Sequence, residues 1–438
     1  MANKADLIVI GGGLSGLLAA YFAFNNGRKD IAIIDPEQLG GALKTETVED
    51  HPFDVGPTVF NDRPQVLTLI NQLGLQNELL QQNVKFPRTA VALGADLIDL
   101  QTGFLSCLFA TGLSVVGALQ GLRGIFSEFR FTFSESVADV ADKQFGIEVR
   151  SKLIDPVVRA MTFGDSTKVN FEAVFGSGFT KHRGLTPKNF IFKSDVLKRK
   201  LLAFKSGSVV LSKALIAKTP HKHVVAKTDK VSPAEGGGFK MTLSNGEEWF
   251  AREVVLAIGT KPLIPLVKNL DADLYSKLSV VECVPLGIVN LYSDTKPNVP
   301  SDVFEVVAPA ASPNYKFISA SSRDLIFPKT HRGYNIKMIY GGSDGDWIFE
   351  KGKEELGKLA QIEAARVLKT KSIKTLAVGL WKDAVPLYGA TIFDLVKSAK
   401  LCENKYPGLK LFGNYYGGIT ISDRIEQAFG LFGVRKTT

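Results

Sequence analysis

The sequence predicts an α/β protein, and three features support this. The chain opens with a strand, a glycine-rich turn, a helix and a second strand, in that order. A second block rich in strands begins near Ser206, and strand-like runs dominate again from Val284 to Tyr340. The composition is that of a globular protein, with 45% hydrophobic and 22% charged residues in 438 positions. A chain of this length can bury a large core and favours two or more domains.

The opening βαβ unit carries a glycine spacing that is typical of nucleotide binding. The first strand ends at Ile10, the helix runs from Leu17 to Asn26, and Gly11, Gly13 and Gly16 lie between them. In such a turn the first glycine allows the tight bend, the second lets the backbone approach a pyrophosphate, and the third lets helix and strand pack closely. The phosphates would face free N–H groups and the positive end of the helix. The unit is therefore predicted to be Rossmann-like and to bind a dinucleotide.

An acidic residue follows at the distance that such a site requires. Asp35 ends the next strand, 19 residues after Gly16. A carboxylate there can accept hydrogen bonds from both hydroxyls of an unphosphorylated ribose, which excludes a 2′-phosphate. Gly40 and Gly41 come soon after and would bring a second stretch of backbone close to the ribose and pyrophosphate.

The far end of the chain repeats this strategy. A strand is predicted over Leu409 to Gly413, a glycine-rich turn over Asn414 to Gly418, and a helix over Arg424 to Phe432. Thr420 and Asp423 have the spacing of a capping box at the start of that helix. A second helix N-terminus aimed inward would stabilise negative charge on a reduced flavin. NAD would not need it, so the predicted cofactor is FAD.

The middle of the chain is predicted to be largely helical. Residues 66 to 82 have the pattern of an amphipathic helix, and residues 136 to 175 have the pattern of several helices. The stretch Gln101 to Leu122 carries no charge. It is long enough to span a membrane, but its glycines and serines favour a buried helix pair or a helix on a membrane surface. The flanking Arg123 and Arg130 suit either surface position.

Charge and cysteine content narrow the classes of ligand. The formal net charge of +9 favours phosphates, anionic lipid heads or an acidic substrate. The basic segment Lys193 to Lys205 is interleaved with apolar residues and is best explained as a solvated face. The three cysteines lie far apart, and His221 and His223 form an isolated pair, so neither disulfides nor a metal site is predicted.

Several segments resemble the monoamine-oxidase-like FAD superfamily and, within it, the protoporphyrinogen oxidase family. The glycine motifs at both ends are shared widely across that superfamily. The long middle segment and the Gly-Asn-Tyr start of the last motif are more particular to the family. The segments that carry the likeness, besides Gly11 to Gly16, are Phe53 to Phe60, Glu135 to Val169, Phe204 to Leu215, Trp381 to Tyr388 and Leu411 to Ala428.

The resemblance implies an FAD-dependent oxidase of heme biosynthesis that converts protoporphyrinogen IX to protoporphyrin IX, with oxygen as acceptor. The flavin would carry the chemistry, so no catalytic base or triad is assigned. The resemblance also implies Arg88 as a partner for a substrate propionate. From the glycine motifs and the resemblance together, the residues predicted to bind FAD are Gly11, Gly12, Gly13, Leu14, Ser15, Gly16, Asp35, Gly40, Gly41, Gly56, Pro57, Thr58, Val231, Gly418, Ile419, Thr420 and Ile421.

The predicted architecture is a Rossmann-like FAD-binding domain with a discontinuous α+β substrate domain and a helical insertion. The FAD-binding domain is assigned to residues 1–82, 204–262 and 401–438. The substrate domain is assigned to residues 83–100 and 263–400. Residues 101–203 form the helical insertion, which is the candidate region for contact with a membrane.

Other functions remain open at this point. Coproporphyrinogen III oxidation to coproporphyrin III differs only in the carboxylates of the substrate. A flavin amine oxidase would need an aromatic cage, for which Trp381, Tyr388 and Tyr415 are candidates. A carotenoid-type desaturase and a flavin-binding protein without turnover are further alternatives.

The expected partners are a small porphyrinogen-like substrate and a membrane surface. No nucleic-acid partner is expected, and a homodimer stays open. Because the first apolar run, Leu7 to Ile10, is too short for the core of a signal peptide, we expect a cytoplasmic protein. Peripheral attachment to the cytoplasmic face of the membrane stays open.

Overall fold

Two large β-sheets organise the chain in a computed structural model. The structure describes residues 3–94, 96–100, 107, 111–128, 130–132, 134–179, 200–300 and 302–432. The predicted neutral stretch Gln101 to Leu122 and the basic segment Lys193 to Lys205 lie partly outside the described residues. Among those residues, no helix is long and apolar enough to cross a membrane.

The strands are short in the first third of the chain and long in the second sheet. In chain order they are β1 Asn3–Ile10, β2 Ile31–Ile34, β3 Thr45–Val48, β4 His51–Asp54, β5 Phe60–Asn61, β6 Leu79–Gln81, β7 Arg88–Leu93, β8 Asp96–Asp99, β9 Leu201–Phe204, β10 Lys222–Val224, β11 Thr228–Pro233, β12 Phe239–Leu243, β13 Glu248–Leu256, β14 Cys283–Ser293, β15 Val303–Val307, β16 Ser319–Ser321, β17 Tyr334–Gly341, β18 Ile373–Pro386 and β19 Leu409–Leu411.

The helices cover both sheets and form a separate helical region between β8 and β9. In chain order they are α1 Leu14–Asn25, α2 Pro64–Leu73, α3 Val115–Phe126, α4 Val137–Phe145, α5 Asp155–Thr162, α6 Phe171–Phe179, α7 Val209–Lys218, α8 Thr260–Val267, α9 Ala272–Ser279, α10 Trp347–Val367, α11 Ile392–Lys405 and α12 Ile421–Phe432.

The first sheet has the strand order β10-β2-β1-β13-β12-β11, with β19 also paired to β13. The strands β10, β2, β1, β13 and β19 run parallel, and β11 and β12 add an antiparallel edge. Alternate residues of β1 bury into different clusters, Leu7 on one face and Ile8 on the other. The helices α1, α7 and α12 cover the first face, while α8, α9 and α11 cover the second. This is the doubly covered α/β layer that the sequence predicts.

The second sheet has the order β18-β14-β17-β16-β15-β7-β8 and is antiparallel except where β7 meets β15. The long helix α10 packs on one face of this sheet. The other face of the sheet is turned towards the main cavity, as its lining residues show. The sheet therefore forms the wall of a site between itself and the first sheet.

Two local expectations from the sequence needed correction. The helix predicted over residues 66 to 82 ends at Leu73, because Gly74 adopts a left-handed conformation with φ 75°. Leu79 to Gln81 then pairs with β9, so a tertiary strand pairing replaces the second half of the predicted helix. The sequence also predicts a helix over Glu354 to Lys369, and in the structure this helix begins earlier, at Trp347, with a break at Gly352.

In the helical region, small residues let two helices pack closely. Gly117, Gly121 and Gly124 of α3 are buried. A Cβ on Gly124 would lie 2.3 Å from the carbonyl oxygen of Gln144 in α4, so only glycine fits there. The opposite face of α3 is apolar and exposed, with Val115 77% and Leu119 60% exposed. The predicted buried helix is thus buried on one face only, within the part of the stretch that the structure describes.

Candidate nucleotide and substrate site

The parallel strands of the first sheet end together at one edge. The register pairs Ile10 with Ile34 and with Leu256, and Leu256 with Leu411. The turns that follow these strands therefore meet at the same place. Ligands of open α/β sheets bind at this carboxyl edge, which makes it the candidate nucleotide site.

The glycine-rich turn after β1 is built as the sequence predicts. Gly11 has φ 104°, and a Cβ on Gly16 would lie 1.8 Å from the carbonyl oxygen of Gly11. Only glycine at position 16 lets α1 approach the strand so closely. Gly13 is different, because a Cβ there would meet no atom within 4 Å. The backbone at Gly13 thus borders open space, as a phosphate cradle requires.

The N-terminus of α1 is left open for a ligand. Within the described residues, no side chain caps this helix. The N–H groups of its first turn have no partner inside the helix. Leu14 and Ser15, which belong to this turn, border a cavity. The partial positive charge of the N–H groups favours an anion there.

Asp35 stands next to the turn. Its carboxylate accepts hydrogen bonds from the N–H of Gly12 at 2.6 Å and of Glu37 at 2.8 Å. The carboxylate is therefore fixed beside the glycine-rich turn, in the position predicted for ribose recognition.

The second glycine pair lies directly against the first motif. The N–H of Gly40 donates to the carbonyl of Gly12 at 2.8 Å, and a Cβ on Gly41 would lie 2.9 Å from the Cα of Gly13. A Cβ on Gly56 would lie 2.2 Å from the carbonyl oxygen of Ala42. The segments that contain these glycines thus pack backbone on backbone around the turn.

The C-terminal motif closes the site from the other side. Thr420 and Asp423 form the predicted capping box: each side chain bonds the backbone N–H of the other, at 3.0 and 3.1 Å. Arg424 is buried behind them and donates to the carbonyls of Gly413, Tyr416 and Gly418. Burial lowers the pKa of Arg424. This residue holds the glycine-rich turn in shape, a role that the sequence did not predict.

Two adjacent cavities lie at this edge. A cavity of about 270 Å³ is bordered by Leu14, Ser15 and Arg424. A larger cavity of about 660 Å³ lies between this edge and the second sheet. The residues that border both cavities are Ala42, Pro57, Ala384, Asn414 and Ile419. The two cavities are therefore neighbours, with these five residues between the helix N-terminus and the wall of the larger cavity.

The larger cavity is mostly apolar, with a few charged groups on its wall. Its charged lining residues are Asp54, Glu305, Arg323 and Lys337. Such a combination of apolar surface and few polar anchors is typical of a site for an organic ligand.

Lys337 is a partly buried cation in this wall. Its Nζ donates to the carbonyl of Gly56 at 2.5 Å and to Oγ1 of Thr58 at 2.6 Å. Burial lowers the pKa of Lys337 to about 8, although the charge of Asp54 opposes the shift. Lys337 thus ties the second sheet to two residues predicted to bind FAD.

Seven of the 17 residues predicted to bind FAD border these cavities, and two of the seven, Pro57 and Ile419, border both. Leu14, Ser15 and Ile421 border the smaller cavity, and Gly56, Thr58 and Ile419 border the larger one. Val231 is not among the seven, since its side chain is fully buried in the core on β11. A contact between Val231 and a nucleotide would have to come from its backbone.

The structure pairs Arg88 with a carboxylate of the protein. Its Nη2 lies 2.7 Å from Oδ2 of Asp99. The next residue, Thr89, lines the larger cavity. Since neighbouring side chains of a strand point to opposite faces, Arg88 is directed away from that wall.

The three aromatic residues considered for a cage do not come together. Trp381 lines the larger cavity, but Tyr415 is fully buried in the core. The hydroxyl of Tyr388 donates to the carbonyl of Asn414 and accepts from the N–H of Gly418. Tyr388 therefore braces the C-terminal turn instead of facing a substrate.

Sequence analysis missed the polar residues of the cavity wall. Glu305, Arg323 and Lys337 belong to strands and a turn whose partners are distant in sequence. One signal was present: Lys337 stands inside the otherwise apolar run Ile336 to Ile339. A single charge in such a run is a candidate for a buried functional group.

Comparisons with known proteins agree with this geometry. Residues 9–73 match the model of an NAD(P)-binding Rossmann-like domain. The chain is 24% identical to protoporphyrinogen oxidase 1, chloroplastic, of Spinacia oleracea, over 97% of this chain and 83% of the relative. It is 25% identical to coproporphyrinogen III oxidase of Mycobacterium leprae (strain TN), over 96% of each chain. The chain resembles protoporphyrinogen oxidases over almost its entire length.

A solved structure supports the same fold. The crystal structure of a protein from Exiguobacterium sp. 255-15, described as a protoporphyrinogen oxidase, superimposes with a TM-score of 0.82. The match covers 99% of this chain and 98% of the other at 17% identity. The predicted α/β fold, with its Rossmann-like unit, is confirmed.

The site fits FAD, as the sequence predicted. The open space at Gly13 and the uncapped α1 suit a pyrophosphate. The buried Nε of Arg424 has no hydrogen-bond partner among the described residues and borders the smaller cavity. A second helix N-terminus, that of α12, meets the same edge. These groups match the anionic and hydrogen-bonding parts of FAD, and the apolar cavity beyond them leaves room for a substrate.

Proposed function

We propose that this protein is an FAD-dependent oxidase that dehydrogenates a porphyrinogen, converting protoporphyrinogen IX to protoporphyrin IX with oxygen as electron acceptor. The observation that carries the proposal is that the nucleotide cavity adjoins the larger apolar cavity of about 660 Å³ and shares five bordering residues with it. The similarity to porphyrinogen oxidases over almost the whole chain supports the same substrate class.

In the proposed reaction the cofactor supplies the redox chemistry, and the protein supplies binding and orientation. FAD, when bound, supplies the acceptor for a hydride from a methylene-bridge carbon of the substrate. The glycine-rich turn, Asp35 and the α12 N-terminus hold it in place. The apolar wall of the larger cavity orients a flat substrate and keeps water out.

Coproporphyrinogen III is the second candidate substrate. It differs from the first by additional carboxylates on the ring. Arg323 and Lys337 line the cavity and could pair with carboxylates. The similarity to a coproporphyrinogen III oxidase covers 96% of both chains, which keeps this candidate in place.

Porphyrin fluorescence distinguishes the two substrates. The purified protein should carry flavin absorbance and should raise porphyrin fluorescence from one or both porphyrinogens when oxygen is present. A sample without protein corrects for spontaneous oxidation. A protein that can be loaded with FAD but leaves both porphyrinogens unchanged would remove this substrate class and leave the fold and cofactor assignments intact.

We propose Arg88 as a partner for a substrate propionate on the resemblance alone, because the structure pairs it with Asp99 and directs it away from the wall of the larger cavity. Arg88→Ala should then raise KM with little change in kcat. Asp99→Asn is the matched control, because it breaks the same ion pair without removing the guanidinium. An unchanged KM in Arg88→Ala would retire the proposal and leave Arg323 and Lys337 as the cavity cations to examine.

We also propose that the exposed face of α3 contacts a membrane surface. Val115, Val116, Leu119 and Phe126 are each at least 60% exposed and share one helical face. Four large apolar side chains on one face are unusual on a protein surface in water. A cytoplasmic protein with peripheral attachment would meet its oily substrate there.

Vesicle flotation checks the membrane proposal. The protein should float with vesicles that contain anionic lipid, and Val116→Asp with Leu119→Asp should abolish this while flavin content stays unchanged. Exposed changes elsewhere, such as Val225→Asp, serve as the control. Equal flotation of the double variant and the Val225→Asp control would contradict the proposal.

A homodimer remains a prediction.

A further inference from the structure

A row of polar side chains crosses the apolar wall of the larger cavity. The strand register pairs Thr89 with Glu305, Glu305 with Ser321, Ser321 with Lys337, and Lys337 with Asn290. All five residues line the cavity. Because adjacent strands are about 4.8 Å apart, the row spans roughly 20 Å along the wall.

The next row on the same face is mostly apolar. Val307 pairs with Ser319, Ser319 with Ile339, and Ile339 with Ile288, and these residues also line the cavity. The polar row therefore forms a narrow band opposite the nucleotide edge. Polar groups in such a wall cost free energy unless they bind something.

Glu305 is the carboxylate of this band. Burial raises its pKa to about 7, while a hydrogen bond from the Ser319 hydroxyl opposes the shift. A carboxyl group with such a pKa can release and accept a proton near neutral pH, which is the property of an efficient general base. The proposed mechanism gives Glu305 no other task.

Several charged groups lie on the elements that pack against β15, the strand of Glu305. Arg88 lies on β7 and is paired with Asp99. Arg323 and Asp324 lie on the turn Arg323–Leu325. Asp155 and Arg159 lie on α5. Lys337 lies on β17, which is two strands away from β15 in the same sheet. The desolvation of Glu305 outweighs the charges of these groups in setting its proton affinity.

Dehydrogenation of a porphyrinogen needs a proton acceptor as well as a hydride acceptor. Each round breaks a C–H bond at a methylene bridge and an N–H bond of a neighbouring pyrrole. The carbon loses a hydride, with both electrons, to the flavin, and the N–H electron pair stays on the ring to form the new double bond. The nitrogen proton must go to a base. Oxygen would then take up that hydride equivalent from the cofactor together with one proton from water and leave as hydrogen peroxide, which balances the round.

We propose that the Glu305 carboxylate, which belongs to the polar band and accepts a hydrogen bond from Ser319 of the neighbouring row, is the base that accepts the pyrrole N–H proton in each round. This inference rests on the proposed function and assigns a catalytic residue to it. After each round the carboxylic acid returns its proton to solvent water at the cavity mouth, ready for the next round.

The key variant is Glu305→Gln, which keeps the size and hydrogen bonding of the side chain and removes its proton affinity. In the wild type, kcat/KM should rise as pH increases through about 7, because the base must be ionised. In Glu305→Gln, the rate should fall by about 100-fold or more and this rise should disappear. Ser319→Ala should move the rise to higher pH, because the hydrogen bond that stabilises the carboxylate is lost.

A matched control comes from the far side of the same sheet. Glu363 is also a buried carboxyl group with a raised pKa, but it bonds Tyr340 and the N–H of Lys316 and does not line the cavity. Glu363→Gln should keep the wild-type pH profile. Flavin content and the affinity for the porphyrin product should be unchanged in Glu305→Gln, which separates a catalytic effect from misfolding.

Infrared spectroscopy gives a readout that does not depend on turnover. In the FAD-loaded wild type without substrate, a protonated carboxyl band should develop as the pH falls through about 7, and Glu305→Gln should lack it. A Glu305→Gln enzyme with the wild-type pH rise and rate would overturn the assignment while the proposed function stands. A wild type that oxidises neither porphyrinogen would overturn both.

Discussion

Alanine substitutions at Gly16 and Gly13 should have different effects, although both glycines belong to the same motif. A Cβ at position 16 would lie 1.8 Å from the carbonyl oxygen of Gly11, whereas ordinary contacts begin at 3.4 Å. The helix must therefore move by more than 1 Å in Gly16→Ala. Such overpacking costs about 1–3 kcal/mol of folding stability. The shift also displaces the N–H groups of the first turn, so FAD affinity should fall at least tenfold.

Gly13→Ala isolates the ligand effect. A methyl group there meets no protein atom within 4 Å, and φ is −73°, which alanine adopts easily. The apoprotein should lose only about 0.5 kcal/mol, because alanine is a poorer N-cap than glycine. The methyl group nevertheless projects into the space assigned to the pyrophosphate, so FAD affinity should fall by about 100-fold, or roughly 3 kcal/mol.

Thermal unfolding of the apoprotein and fluorescence titration with FAD measure the two effects separately. Gly430→Ala on α12 is the control, since a Cβ there also meets nothing within 4 Å and the position lies far along the helix from the turn. It should leave FAD affinity unchanged and slightly raise stability. Wild-type FAD affinity in Gly13→Ala would refute the assignment of the phosphate cradle.

Two further substitutions test the electrostatics of the site. In the folded protein the pKa of Lys337 is lowered to about 8. Between about pH 8 and pH 10 the unfolded chain therefore binds more protons than the folded one. The free energy of unfolding should rise with pH in this range by up to about 3 kcal/mol. Lys337→Met should remove this rise in urea unfolding of the apoprotein; an identical rise in the variant would contradict the assignment. Arg424→Lys cannot reach all three carbonyls that the guanidinium holds, so it should lower stability by about 3 kcal/mol and weaken FAD binding, as measured by the same titration. Normal stability in Arg424→Lys would show that the C-terminal turn does not depend on this residue.

The nucleotide edge was largely predictable because its signals are local. Gly16 and Asp35 mark a turn and a strand end within one βαβ unit, and the capping box of Thr420 and Asp423 is a four-residue pattern. Each depends on backbone geometry that the nearby sequence sets. The likeness in the middle of the chain added the substrate class, which no local pattern could supply.

The sequence predictions that the structure corrected also have a common cause. The second half of the helix predicted over residues 66 to 82 became a strand because β9, more than 100 residues away, offered pairing partners. Tyr388 and Tyr415 were considered for a substrate cage, but tertiary packing buries Tyr415 in the core and uses Tyr388 to brace the C-terminal turn. Local pattern cannot show which face of an element meets which neighbour.

The sequence by itself determined the glycine-rich turn, the acidic residue Asp35 beside it and the closing C-terminal motif, because each follows from short-range backbone requirements. The tertiary structure alone decided the cavity wall. Glu305, Ser321 and Lys337 come from strands separated by 10 or more residues, and only the register of the second sheet aligns them into one band. Strand register is set by the packing of whole sheets, and so the chemistry of the substrate cavity emerges only from the folded chain.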